Sequence, residues 1–501
     1  MKSIIFKFIL ALLLVMSATS GANAIDLYVN TKTKQVFTEP GPDRELIGAF
    51  ERVKEKSVQA ATPPVLPPPN RSSKFKIKVE TARLVSRVDS LEKEIKKSKN
   101  VKVTLDQKGL QAESADGNFK FKIGGRMHAD ASLSSNDNFS ESGSPAEANN
   151  GTEIRRARLT FMSTFHKVWK FKSDIDFADN EVAIKDLKLA YTGLKIFEEI
   201  KTRITVGHQK QAFSRELQQS SNDNMYTERS MMNILNAPVV DRAIGVNIAA
   251  HGRKWTAQTG VYGESISPNN TSKDEGWGVN GRATFNPILN NDNGIQKLIH
   301  LGLAGNYRET SNSATNSRGA IRYKYETSHM SNLYPIDTGT ITTAKNLKMI
   351  GFEANGVYGP ISVGGEFTQS WMDRNNGMSS LAFHGWYGEA ALTLTGESRT
   401  YKNGVFKRLK PKSTFSLANG GLGAWEIAAR VGGINMNDGA YKGGSMKNFS
   451  FALNWYANEN VRLMFGYDRI IDINNSPLIS RTNGGKPDGL NTFMFRTQIA
   501  I

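Results

Sequence analysis

The chain has 501 residues, no cysteine and a formal net charge of +17 at neutral pH. The lack of cysteine excludes disulfides, thiolate nucleophiles and cysteine-ligated metal sites. The positive charge suits a partner that is anionic, such as a membrane surface or a small anionic solute.

Residues 1–24 have the pattern of a secretory signal. Lys2 and Lys7 supply the positive start, an apolar stretch follows, and Ala22-Asn23-Ala24 is a small-residue cleavage site. A membrane anchor is the alternative, but the apolar run is too short to span a bilayer comfortably. We therefore expect cleavage and export, which makes nucleic acid an unexpected partner.

Residues 25–61 form a small charged module. The string LYVNTKTKQVFTEPG, followed by a proline, predicts a short hairpin that is closed by Pro40-Gly41-Pro42. Residues 62–73 contain TPPVLPPPN, which is typical of a stiff, extended linker.

Residues 74–100 change to helical spacing. The apolar seam repeats with alternating gaps of four and three residues and consists of Ile77, Thr81, Leu84, Val88, Leu91 and Ile95. This heptad pattern predicts a coiled-coil-like helix. It is short for a coiled coil, so on these residues a helical bundle and a free amphipathic helix fit equally well.

From residue 109 the hydrophobic period becomes two. The string FKFKIGGRMHADASL, residues 119–133, has apolar or small residues on one face and Lys120, Lys122, Arg126 and other polar residues on the opposite face. Such a strand is long enough to cross a bilayer at a tilt. It favours a barrel with lipid outside and a charged, wet lumen inside.

The same alternation recurs along the rest of the chain. It is clear over residues 156–165, 169–177, 449–456 and 461–467, and polar stretches typical of loops lie at 134–152, 264–276, 308–320 and 472–489. A soluble sandwich or propeller also alternates, but with shorter strands and a less consistently charged polar face. We predict an all-β fold: a transmembrane antiparallel barrel of about sixteen to eighteen strands over residues 109–501.

Several strings resemble the phosphate-selective porin O/P family. They are KFKIGGRMHAD, EIRRARLTF, WKFKSDIDF, LAYTGL, TERS, GWYGEAALTLTGE, LKPKS, GAWEIAARV and NWYANENV, in this order from Phe119 onward. The resemblance implies a sixteen-stranded outer-membrane barrel of a Gram-negative bacterium, usually a homotrimer, that conducts anions and in some members prefers phosphate. It implies no cofactor, and residues 25–100 would then be periplasmic and able to contact the cell wall.

An anion channel needs positive side chains that face the lumen. Arginine suits phosphate because its planar fork donates two parallel bonds and keeps its charge. Strand parity points the following side chains inward: Lys120, Lys122, Arg126, Arg156, Arg158, Lys170 and Lys172. We expect them, or a subset, to line the pore, with Asp174 and Asp176 as acidic partners.

The resemblance singles out fewer positions. Arg126 lies in the GGR block, and Arg155 and Arg156 match the paired arginines of the RRA block. Neighbouring residues of a strand face opposite ways, so Arg155 reaches the pore only if the strand is bulged or starts later. Asp186 matches an acidic residue ahead of the YTG string, where it could orient an arginine or accept from a protonated phosphate.

The segment after Gly207 departs from the family. It offers Lys210, Arg215 and Arg229 as basic residues, but Leu217 and Asn222 stand where the resemblance implies lysines. We expect Arg215 to compensate, and add Lys410 and Lys412 from a later loop as candidates. Anion conduction is therefore predicted, and phosphate specificity stays open.

Two other functions are compatible with an exported barrel. A hydrolase needs an activated nucleophile or held water, but the histidines form no HExxH spacing and there is no GxSxG elbow. An adhesin or anchor would use the long Asn- and Ser-rich loops and would not conduct ions. The sequence favours a channel and gives no reason to expect an enzyme or a metal site.

Overall fold

The computed structural model describes residues 25–30, 36–37, 44–50, 86–90, 101–194, 199–266, 275–310 and 320–501. The chain divides into two compact units, Met1–Ser90 and Leu91–Ile501. The predicted signal and proline-rich linker lie outside the described residues, as does all of the coiled-coil segment except residues 86–90, which are helical.

The amino-terminal unit contains a three-stranded antiparallel sheet. Its strands are Ile25–Asn30, Val36–Phe37 and Arg44–Phe50, and the first lies between the other two. Tyr28 pairs with Phe37 in the hairpin. The third strand pairs along the whole length of the first.

Sixteen antiparallel strands close into a barrel in the second unit. They are β1 (Phe119–Ser135), β2 (Gly151–Phe165), β3 (Trp169–Asp176), β4 (Ala183–Tyr191), β5 (Lys201–Lys210), β6 (Arg242–His251), β7 (Trp255–Tyr262), β8 (Trp277–Phe285), β9 (Ile295–Glu309), β10 (Ala344–Tyr358), β11 (Ile361–Arg374), β12 (Leu381–Thr393), β13 (Ala424–Asp438), β14 (Tyr441–Tyr456), β15 (Val461–Asn474) and β16 (Asn491–Ala500). Strand β16 pairs with β1, for example Thr497 with Ala129, and so closes the ring. The predicted barrel and its strand number are confirmed.

Shorter elements decorate the ring. A hairpin of Lys102–Asp106 and Gly109–Glu113 precedes the ring, and its second strand, which begins at Gly109, pairs with the start of β1. The ring itself begins at Phe119. The other short strands are Phe139–Glu141, Ser144–Ala146, Leu289–Asp292, Lys324–Tyr325, Ile336–Asp337, Tyr401–Lys402, Val405–Phe406 and Leu478–Ser480; the helices are α1 (Arg215–Gln218), α2 (Asn233–Val240) and a 3-10 turn, Ala178–Asn180.

The outer face of the barrel is apolar because the sequence alternates. Large hydrophobic side chains such as Val206 and Ile248 are about half exposed and face outward, where a bilayer covers them. Aromatic pairs lie near both ends of the strands, for example Trp169 with Tyr191 and Trp277 with Tyr307. No helix among the described residues has the length and apolarity needed to cross a membrane.

Long connections fill part of the lumen. Residues 211–241 and 320–343 pack together through an apolar core with the inner face of β9 to β15; it includes Phe213, Leu235, Tyr323, Ile336 and Phe383. Residues 394–423 enter from the opposite end, between β12 and β13. The space that remains lies beside β1 to β7.

Candidate functional site

The connection 211–241, here called the lumenal loop, follows β5. Gly207 has a φ of +118°, and a Cβ there would lie 2.3 Å from the Leu187 carbonyl oxygen, so only glycine fits. Ser214 caps helix α1 by accepting from the Leu217 N–H at 3.2 Å. Gly207 thus allows β5 and β4 to approach closely, and soon after β5 ends at Lys210 the Ser214 cap starts the helix of the lumenal loop.

A carboxylate of the barrel wall fixes the start of α1. Glu366 of β11 accepts hydrogen bonds from the Ser214 hydroxyl at 2.7 Å and from the backbone N–H groups of Arg215 and Glu216 at 2.9 and 2.8 Å. Backbone donors at a helix start favour an anionic acceptor. This contact holds the lumenal loop against the far wall.

The stretch 222–228 of the lumenal loop is held by its backbone carbonyls. The Asn222, Asn224, Met225 and Thr227 oxygens accept from Gln498 at 3.3 Å, Arg462 at 2.7 Å, Asn454 at 2.9 Å and Arg496 at 2.6 Å, respectively. Buried carbonyls need such partners. The loop thus crosses the lumen and is fixed on both sides.

Four buried arginines make these and similar contacts, and we call them the loop-anchoring arginines: Arg399, Arg430, Arg462 and Arg496. Arg496 forms a two-pronged pair with Asp130 at 2.7 and 2.6 Å. Arg399 pairs with Glu426 and Arg430 with Glu216, both at 3.3 Å. Most donors of these four guanidinium groups therefore have acceptors on the lumenal loop or on the barrel wall.

The open space between the lumenal loop and β1 to β7 is a cavity of about 250 Å³. We call it the basic cavity, because ten cationic side chains line it: Arg126, Arg156, Arg158, Lys172, Lys188, Arg203, Lys210, Arg229, Arg242 and Lys407. The lining contains two carboxylates, Asp174 and Asp186, so positive groups exceed negative ones by eight.

Some of these cations have carboxylate partners. Asp186 receives Lys172 at 2.6 Å, Arg242 at 3.2 Å and Lys188 at 3.5 Å. Asp174 lies 3.7 Å from Arg126. One carboxylate therefore serves several cations at once, which orients them without cancelling their charge.

Other cavity cations have neutral partners or none. Lys210 donates to the Leu217 and Gln219 carbonyls at 2.5 and 2.8 Å, and Arg229 donates to the Glu216 and Gln219 carbonyls. Within the described residues, no carboxylate oxygen lies within 4 Å of a side-chain nitrogen of Arg156 or of Arg203.

Arg155 reaches the lumen through a bulge. The pairing of β1 with β2 shifts between His128, opposite Arg156, and Ala129, opposite Ile154, so Arg155 is the extra residue. Its side chain lies 3.1 Å from Glu228 of the lumenal loop. Burial alone would raise the pKa of Glu228, but Arg155 and Arg496 outweigh it and hold that pKa well below its usual range.

The structure gathers half of the predicted site residues around the basic cavity and places the others elsewhere. Those at the cavity are Arg126, Arg156, Arg158, Asp186 and Lys210. Lys120 pairs with Glu113 of the short hairpin at 2.7 Å, and Lys122 lies opposite Gln111 of the same hairpin. Lys412 donates to the Gly396 carbonyl at 2.9 Å, outside the cavity.

Arg215 does not line the cavity, which corrects its expected role. Its side chain is buried, pairs with Glu389 at 2.8 Å, donates to the Tyr387 hydroxyl and lies 5.5 Å from the Phe406 ring. Burial opposes its charge, but Tyr387 and the nearby carboxylates raise the pKa of Arg215. It is closed to a passing anion.

Sequence reasoning missed four cavity cations: Lys188, Arg203, Arg242 and Lys407. Parity could have found Lys188, because its neighbours Leu187 and Leu189 are exposed on the outer face. It could not have found Arg242, at the first residue of β6, or Lys407, on the connection after β12. Among the described residues, no group of three or more acidic or histidine side chains could hold a metal.

The family profile "Phosphate-selective porin O and P" matches residues 121–470. Porin O of Pseudomonas aeruginosa is 24% identical over 392 residues, which cover 72% of this chain and 84% of that protein. An uncharacterized protein of Caulobacter vibrioides is 26% identical over 326 residues; the match covers 63% of this chain and spans 62% of that protein.

Solved structures with a similar course of the chain are also porins or outer-membrane proteins. The anion-selective porin from Comamonas acidovorans has 12% sequence identity and a TM-score of 0.46, covering 76% of this chain and 100% of that chain. OmpT of Vibrio cholerae has 9% identity and a TM-score of 0.46, with coverage of 77% and 98%.

Proposed function

The chain belongs to the phosphate-selective porin O and P family, and on this premise we propose that it forms an anion-selective channel for inorganic phosphate and related small anions. It is a porin of the Gram-negative outer membrane. The observation that carries the proposal is the basic cavity, where ten cations and two carboxylates line the narrowed lumen.

The cavity favours anions for an electrostatic reason. A small cation there meets a surplus of like charge, whereas an anion exchanges part of its water shell for charge-assisted hydrogen bonds. Arg156 and Arg203 offer it a charge that no close carboxylate offsets; Arg203 is exposed, and Arg156 lines the cavity with 7% of its surface accessible. The fork of an arginine can bind two phosphate oxygens at once.

The anion must also leave. Asp186 and Asp174 compete with it for Lys172, Lys188, Arg242 and Arg126, so release restores existing ion pairs. Because this competition weakens the binding of the anion, the anion can move on from one cation to the next. No cofactor and no covalent step is involved. We further propose a homotrimer in outer-membrane lipid, with residues 25–100 available to contact the cell wall.

Planar-bilayer recording of the purified mature protein tests this proposal. Chloride current is measured first, its zero-current potential is read in a potassium chloride gradient, and phosphate is then titrated in. We expect single-channel steps, anion selectivity and a chloride current that phosphate reduces.

A matched pair of variants locates the effect. Arg156→Ala removes a cavity cation and should weaken both selectivity and the phosphate block, whereas Lys412→Ala, outside the cavity, should leave both unchanged. Anion selectivity without phosphate block would support a general anion porin. Absence of any current would overturn the proposal and favour the non-conducting adhesin or the hydrolase.

A further inference from the structure

One histidine joins the basic cavity to the lumenal loop. His128 of β1 is fully buried, and its Nδ1 lies 3.3 Å from Nη1 of Arg156 on the neighbouring strand. Its Nε2 lies 3.1 Å from the Asn222 side-chain oxygen. The ring therefore has a partner at each nitrogen.

These partners determine the state of the ring. A guanidinium can only donate, so Nδ1 must be the acceptor and carry no proton. The proton then sits on Nε2, which donates to the Asn222 oxygen. The hydrogen-bond pattern assigns His128 as a neutral imidazole protonated at Nε2.

Arg156 depends on this contact for its position. The bond to His128 is the one hydrogen bond that its side chain makes within the described residues, and no carboxylate oxygen lies within 4 Å there. A long side chain without partners samples several rotamers. A neutral acceptor holds it without cancelling its charge, which a carboxylate would do.

We propose that His128 is a positioning residue for anion selection: it fixes the Arg156 guanidinium in the basic cavity and leaves its positive charge for the passing anion. This rests on the proposed function of the cavity. A binding group whose orientation is set in advance loses less entropy when the ligand arrives.

Two substitutions separate this role from simple support of the lumenal loop. In His128→Asn the side-chain oxygen occupies the place of Nδ1 and still accepts from Arg156, while the contact with Asn222 is lost. In His128→Gln the side-chain nitrogen occupies the place of Nε2 and still donates to Asn222, while the acceptor for Arg156 is lost.

The half-blocking phosphate concentration and the zero-current potential are measured for both variants, with Arg156→Ala as the reference and heat-modifiable gel mobility as the folding control. We expect His128→Asn to stay within about twofold of the wild type. His128→Gln should raise the half-blocking concentration by about three- to tenfold, the loss expected for one hydrogen bond, and approach Arg156→Ala.

If His128→Gln keeps the wild-type half-blocking concentration and His128→Asn raises it, His128 acts through Asn222 and not through Arg156. If both variants match the wild type, His128 has no role in anion selection. Nitrogen-15 NMR of labelled histidine gives a readout independent of conduction. An Nε2-protonated ring supports the inference, and protonation at Nδ1 overturns it. A wild-type channel without anion preference would instead refute the proposed function.

Discussion

Two groups of positive side chains face the same lumen and have different surroundings. The loop-anchoring arginines, Arg399, Arg430, Arg462 and Arg496, are buried against carboxylates and loop carbonyls on the side of β13 to β16. The ten cations of the basic cavity lie on β1 to β6 and on the lumenal connections, and they outnumber their carboxylate partners, Asp174, Asp176, Asp186 and Asp223. Only the second group has charge to offer a solute.

The difference shows that lumenal charge by itself does not identify an anion site. Arg215 and Arg462 carry the same guanidinium group as Arg156, but most of their donors already have acceptors within the fold. Removing one partner of a buried ion pair leaves an uncompensated charge and is strongly destabilising. The first group should therefore control folding and the second selectivity.

The largest expected effect comes from a loop-anchoring arginine. Arg496→Ala leaves Asp130 without its two-pronged partner and removes the donor to the Thr227 carbonyl. We expect the free energy of unfolding to fall by about 3–5 kcal/mol, measured by urea unfolding in detergent micelles with tryptophan fluorescence.

Arg203→Ala is the matched control, because Arg203 lines the cavity and has no carboxylate within 4 Å among the described residues. Its unfolding free energy should stay within about 0.5 kcal/mol of the wild type. If Arg496→Ala and Arg203→Ala lower the unfolding free energy equally, the loop-anchoring arginines and the cavity cations do not differ in their contribution to stability.

The adjacent Arg155 and Arg156 offer a finer test. Arg155→Ala removes the partner of Glu228 and should loosen the lumenal loop, seen as larger current noise and lower stability. Arg156→Ala should lower the anion-to-cation permeability ratio several-fold and cost less stability than Arg155→Ala, since it leaves no carboxylate unpaired and removes only the donor to His128. Interchanged phenotypes would contradict the assignment of the bulge.

The pH dependence of loop anchoring follows from Glu228. Its pKa is lowered in the folded protein because the attraction of Arg155 and Arg496 outweighs burial. The ionised Glu228 side chain therefore stabilises the fold at pH values above the usual carboxyl pKa of about 4.3. This stabilisation is lost as the pH falls through the lowered pKa. The destabilisation caused by Glu228→Gln should be constant from pH 8 to 5 and shrink below about pH 4. A destabilisation that grows in acid would contradict this.

The smallest effect on stability is expected at the contact between His329 and Glu153. His329 donates a hydrogen bond from Nδ1 to the Glu153 carboxylate, 2.8 Å away, and this bond raises the pKa of His329. This contact stabilises below the usual histidine value and is lost as the pH rises through the raised pKa. NMR titration should place the His329 midpoint above that of the Glu153→Gln variant, and identical midpoints would show that the contact is absent in solution.

The barrel could be predicted from the sequence because alternation is a local property. The outward residues of β1, β2, β3 and β16, and with them the inward Arg126, Arg156 and Lys172, follow from parity alone. Lys120 and Lys122 obey the same parity, but this part of β1 lies past the end of β16 and pairs with the short hairpin instead.

Non-local packing decided the rest. The bulge at Arg155 depends on how β1 and β2 pair, and the burial of Arg215 depends on Glu389 and Tyr387, far away in the sequence. Parity does not apply to the lumenal loop. No periodic pattern indicated that residues 320–343 would pack into the lumen or that the connection bearing Lys407 would reach Asp223, 3.2 Å away.

The most direct test of the division between the two groups is the zero-current potential of the wild type and of Arg156→Ala/Arg203→Ala in the same potassium chloride gradient. The wild type should show the sign of anion selectivity, and the double variant should move toward zero while it folds normally. A wild-type potential of zero or of the opposite sign, or a double variant that matches an anion-selective wild type, would contradict the claim that uncompensated cavity cations select the anion.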